Sequence, residues 1–89
     1  MDISIKKISQ EELETQGILD WPVWEKEVSK FDWHYDSNET CYIISGRVVI
    51  TSEGGNPVEI EPGDLVVFPK GMDCTWDIRE NVRKHFSFA

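Results

Sequence analysis

From Phe31 onward the chain is a succession of short β-like runs cut by glycine and proline, and this rhythm limits its possible folds more than any other feature. Glu53-Gly54-Gly55-Asn56, Pro62-Gly63-Asp64 and Pro69-Lys70-Gly71 are turn sequences. Glycine reaches the positive φ that tight turns need, and proline presets the φ of a turn's second residue. Between the turns lie stretches rich in β-branched and aromatic residues. They run from Thr40 to Ser45, Arg47 to Thr51, Val58 to Ile60, Leu65 to Phe68, Cys74 to Ile78 and Val82 to Phe88. Phe31, Trp33 and Tyr35 alternate with Asp32, His34 and Asp36, the period of a strand. Short strands at this spacing predict an all-β sandwich or barrel. Closure also removes the open strand edges that invite aggregation.

The N-terminal part departs from this texture. Ile3 and Ile5 alternate with polar residues and predict a short first strand. Ser9-Gln10-Glu11-Glu12 has the form of a capping box, so a short helix should follow and end near Gly17. Asp20-Trp21-Pro22-Val23-Trp24 is aromatic and interrupted by proline, which predicts an extended edge segment.

The chain of 89 residues is expected to form one domain, residues 1–89, with a modest core. Four Trp and four Phe supply large buried area per residue. The net charge is −8, and no basic cluster is longer than Lys6-Lys7 or Arg83-Lys84. Nucleic acids and anionic membrane surfaces both require a basic face, so neither is an expected partner. No apolar run approaches membrane-spanning length, and Met1 to Lys7 lacks a signal-peptide core. A cytoplasmic location is expected, with removal of a transit peptide from a longer precursor as the alternative. Cys41 and Cys74 are too few for a disulfide scaffold and are expected as free thiols.

Two stretches resemble the paired motifs of the cupin superfamily. The first motif is H-x-H, then three or four residues, then E-x(6)-G; Glu39 and Gly46 fit its second half. With a gap of four residues, His34 falls at the second histidine position and Asp32 at the first. The second motif is G-x(5)-P-x-G-x(2)-H-x(3)-N. Gly63, Pro69 and Gly71 fit it in register, with Cys74 at the histidine position and Ile78 at the asparagine position. Over residues 21 to 88 the chain is similar to the compact cupins grouped with ureidoglycine aminohydrolase and the ethanolamine-utilisation cupin domains (DUF861). Trp21-Pro22-Val23-Trp24, Glu39 to Tyr42, Gly63 to Gly71, Trp76 and Val82-Arg83-Lys84 carry that likeness. The resemblance implies a double-stranded β-helix, a jelly-roll barrel with a short N-terminal helix, and a pocket inside it. It also implies a homodimer.

The candidate site follows from this register. Asp32 and His34 would share one strand face, as would Glu39 and Cys41, and Cys74 and Trp76, all directed into the barrel. Lys84 lies between Val82 and Phe86 and would face inward as well. A carboxylate within a β run must be paired if buried, and Lys84 is the natural partner of Glu39. The expected ligand-binding set is therefore Asp32, His34, Glu39, Cys41, Cys74, Trp76 and Lys84. A metal of the usual cupin kind is not favoured, because two histidine positions are replaced by Asp32 and Cys74. If a metal is bound, Asp32, His34, Glu39 and Cys74 would hold it, and zinc best accepts such mixed ligands. Two classes of function fit. One is a binding module for a small molecule. The other is a small enzyme acting on a ureido, amine-type or sugar-like molecule, with a divalent metal or with Glu39 as general base and Lys84 as electrostatic stabiliser.

Overall fold

The computed structural model describes residues 3–88; Met1, Asp2 and Ala89, the ends of the expected domain, lie outside the described residues. In chain order the elements are β1 (Ser4–Lys7), helix α1 (Gln10–Thr15), a 3-10 turn (Ile18–Asp20), β2 (Val23–Lys26), β3 (Ser29–His34), β4 (Glu39–Ser52), β5 (Val58–Ile60), β6 (Asp64–Phe68) and β7 (Asp73–Phe88). The capping box starts α1: the Ser9 hydroxyl accepts the Glu12 amide at 3.2 Å, and the Glu12 carboxylate accepts the Ser9 amide at 3.4 Å. Gly17, at φ +68°, turns the chain out of the helix.

All strand pairings are antiparallel, and the long strands β4 and β7 organise them. They run beside each other from Glu39 opposite Phe88 to Ser52 opposite Cys74. The register slips between Ile43 and Val48, where both strands bend. Gly46 sits at this corner with φ +97°. A Cβ there would lie 2.7 Å from the Val82 Cα and collide with the Asn81 carbonyl oxygen, so only glycine fits. The sequence suggests two separate strands on either side of the corner in each case. The structure joins each pair into one strand, because a bulge absorbs the bend without a turn.

The bend folds the one seven-stranded sheet into two facing halves. The first half of β4 pairs with β6, which carries β1, and the last half of β7 carries β2. The second half of β4 pairs with β5, and the first half of β7 pairs with β3. This is the all-β cupin jelly roll with one short N-terminal α-helix. Its interior buries Ile43, Val48, Ile50, Phe68, Ile78 and Val82. A second, smaller cluster lies outside, where Leu13 and Ile18 cover Leu65. That cover explains the unbroken apolar run of β6, which has Val66 and Phe68 inside and Leu65 under α1. Asp64, buried at the start of β6, accepts the Glu61 amide at 2.9 Å and pairs with the Lys7 ammonium at 2.9 Å. Among the described residues no helix is long and apolar enough to cross a membrane.

Candidate functional site

The faces of β3 decide what the barrel holds. Phe31, Trp33 and Tyr35 point inward, while Asp32 and His34 are exposed on the outside. This corrects the expectation that Asp32 and His34 look into the barrel. The motif's three-residue gap applies, placing Trp33 and Tyr35 where histidines would stand. The physical reason is burial. An aromatic ring removes about 150–250 Å² from water, whereas an enclosed carboxylate without a partner costs several kcal/mol. Outside, Asp32 instead accepts the Thr75 hydroxyl at 2.8 Å, and His34 Nδ1 lies 2.7 Å from Asp73.

Between the two halves lies a cavity of about 240 Å³. Phe31 and Trp76 stack with centroids 6.2 Å apart on one wall, and Trp24 meets Trp76 edge-on at 5.9 Å. Phe86 and Phe88 come from the end of β7, and Tyr35 directly follows β3. Trp33 and Phe88, both half-exposed, frame the mouth. The Tyr35 hydroxyl accepts the Trp76 indole N–H at 3.2 Å. Burial pushes the Tyr35 phenol well above its ordinary value, so it stays neutral.

Among the described residues, one pair of charges lines the cavity. Lys84 Nζ donates to Glu39 Oε2 at 3.0 Å, with side-chain exposures of only 6% and 5%. The same ammonium lies 4.6 Å from the Trp76 ring centroid and 4.9 Å from that of Trp24. The aromatic faces and the carboxylate together compensate a cation that has left water. Local sequence explains the placement. Glu39 opens β4 and Lys84 alternates with Val82 and Phe86, which face inward.

Of the sequence-derived candidates, Glu39, Trp76 and Lys84 line the cavity. Cys41 shares their face but is fully buried beside them in the core. Burial pushes its thiol up to about 12. Cys74 is also buried, and burial pushes it up to about 11. Asp32 and His34 border a different, open depression of about 600 Å³ on the outer face, together with Thr51, Glu53 and Asp73. His85 alternates away from Lys84, and its Nδ1 lies 2.9 Å from the Trp21 carbonyl oxygen. The residues that sequence reasoning left out of the candidate set are Trp24, Phe31, Trp33, Tyr35, Phe86 and Phe88. The signal that could have found most of them was parity: the apolar members of an alternating strand form its buried face.

The positions that hold a cupin metal therefore carry Trp33, Tyr35, Glu39 and Cys74. An indole has no lone pair for a cation, the phenol and thiol hold their protons, and Glu39 already has an ammonium partner. This donor set does not fit a divalent metal. Among the described residues no group of three or more His, Cys, Asp or Glu is placed to hold one.

A jelly roll with a cavity between its facing halves is the architecture of cupin domains, among others. A family profile described as the EutQ-like cupin domain matches residues 13–86, and the chain belongs to that family. The structure is similar to a DUF861 family protein from Thermotoga maritima, with 51% identity, a TM-score of 0.96, and coverage of 99% of this chain and 100% of that one. It is also similar to the EutQ protein of Clostridium difficile (22% identity, TM-score 0.67, 97% of this chain and 66% of that one). Acireductone dioxygenase from Bacillus anthracis, a protein with a cadmium ion in its active center, matches at 17% identity and TM-score 0.67 over 97% of this chain and 76% of that one. The last two likenesses concern the fold alone. No curated protein matches the chain.

Proposed function

We propose that this chain is a small-molecule-binding cupin domain that works without a metal, with its site in the aromatic cavity between the facing halves. The observation that supports this most is the Glu39–Lys84 pair, buried in the wall of a cavity otherwise lined by aromatic rings. Apolar walls with a few convergent polar groups are the usual make-up of a ligand site. The cavity is below the roughly 300–1,000 Å³ of drug-sized pockets, so its ligand is small.

The four tryptophans provide the test. Trp24, Trp33 and Trp76 border the cavity, while Trp21 packs with the outer cluster under α1. A library of small polar and aromatic fragments is screened by the indole N–H resonances of chelator-treated protein. Fragments that bind in the cavity shift the signals of Trp24, Trp33 and Trp76 and leave Trp21 still. A library that moves none of the three, or moves them only after metal is restored, would refute the proposal.

A further inference from the structure

Resting on that reading, we infer that the ligand is a net-neutral, planar molecule carrying a hydrogen-bond donor beside an acceptor, as an amide or lactam does. The argument starts from the charge inside the cavity. Among the described residues, its ionisable wall residues besides Tyr35 are Glu39 and Lys84, 3.0 Å apart. A carboxylate and an ammonium sum to zero. Tyr35 and the nearby thiols of Cys41 and Cys74 add no charge, because burial keeps all three protonated.

A cation entering this space would meet Lys84. Two of the three tryptophans that border the cavity, Trp24 and Trp76, already hold the Lys84 ammonium against their rings. An anion would approach Lys84 but would also face Glu39, and the enclosed total would become −1. In a weakly polar space, either unmatched charge is costly. A neutral molecule avoids this. Its acceptor can take a proton from Lys84 Nζ, which has three donors, while its donor gives one to the Glu39 carboxylate, which accepts several. Those two protein groups are neighbours, so the ligand's donor and acceptor must be neighbours too. The remaining walls are the rings of Phe31, Trp33, Phe86 and Phe88, which favour a flat apolar body.

Benzamide, benzoate and benzamidine share one ring and nearly one shape but differ in charge, and they test the inference directly. Titrated into the wild-type chain and followed by tryptophan fluorescence, benzamide should bind at least tenfold more tightly than either charged isostere. Glu39→Gln leaves Lys84 unmatched and should transfer the preference to benzoate; Lys84→Met leaves Glu39 unmatched and should transfer it to benzamidine. Glu39→Gln is the near-isosteric change and carries the test if Lys84→Met fails to fold. Equal binding of the three by the wild type, tighter binding of either charged probe, or an unchanged preference in Glu39→Gln would overturn the inference. A cavity that answers other fragments but none of these three defeats this ligand class alone. Silence to every fragment defeats the broader reading as well.

Discussion

Two side-chain contacts of strand β7 are similar in length but stand in opposite settings. Near its start, Asp73 lies 2.7 Å from His34, and both side chains are more than half exposed. Near its end, Lys84 lies 3.0 Å from Glu39, and both are almost completely enclosed. Length does not rank what losing each contact costs. Water screens the outer pair, and such pairs contribute about 0–1 kcal/mol. The inner pair has lost its hydration, so each member depends on the other. Sequence spacing marked His34 as a site residue and the barrel placed it in solvent. What separates the two pairs is which face of the wall they occupy.

The largest expected effect comes from breaking the inner pair. Lys84→Met should lower stability by about 3–5 kcal/mol, read from urea unfolding, because it strands a buried carboxylate. The double change Glu39→Leu with Lys84→Met should recover most of that loss. A single change as mild as a surface substitution would show that water reaches the pair.

The next effect distinguishes the inner face by pH. The Cys41 thiol is pushed up by burial to about 12, from an ordinary value of 9.0. Above pH 9 the unfolded chain releases this proton and the folded chain keeps it. Native stability therefore falls as pH rises from about 9 towards 12, by up to about 1.4 kcal/mol per pH unit for this group. Urea midpoints of the wild type and Cys41→Ser between pH 8 and 11 measure it, and the variant should show the shallower decline. Equal slopes would place the Cys41 thiol in contact with water.

A smaller effect is expected outside. His34→Asn should change stability by no more than about 0.5 kcal/mol and leave the tryptophan response to fragments unaltered. Loss of that response would return His34 to the site. The least effect on the comparison comes from self-association. The homodimer expected from the family resemblance would give light scattering at twice the monomer mass of 10.3 kDa at micromolar concentration. It should leave the Glu39–Lys84 pair as it is, since that pair is already enclosed within one chain.

Much of the molecule was legible from residues alone, for local reasons. The capping box at Ser9 and the turns at Gly63 and Gly71 depend on backbone chemistry that a few neighbouring residues determine. The inner face of β4 could be read from Glu39, Cys41 and Ile43, and Lys84 was the available counter-charge for Glu39. The face of β3 was a different matter. The first cupin motif allows three or four residues before its glutamate, and one residue of difference turns every side chain of a strand to the other side. Tertiary contacts made the choice. Tyr35 exchanges backbone hydrogen bonds with Met72 and Gly71 at 3.0 and 2.7 Å, and Asn38 accepts the Lys70 amide at 2.7 Å. These bonds hold the end of β3 to the turn before β7, so Tyr35 stacks on Phe68 and Phe31 on Trp76. Residue types and turn positions thus determined the barrel and its buried charges. Only the assembled barrel decided that aromatic rings, and not Asp32 and His34, would face them, because parity depends on a register set by partners more than thirty residues away in the chain.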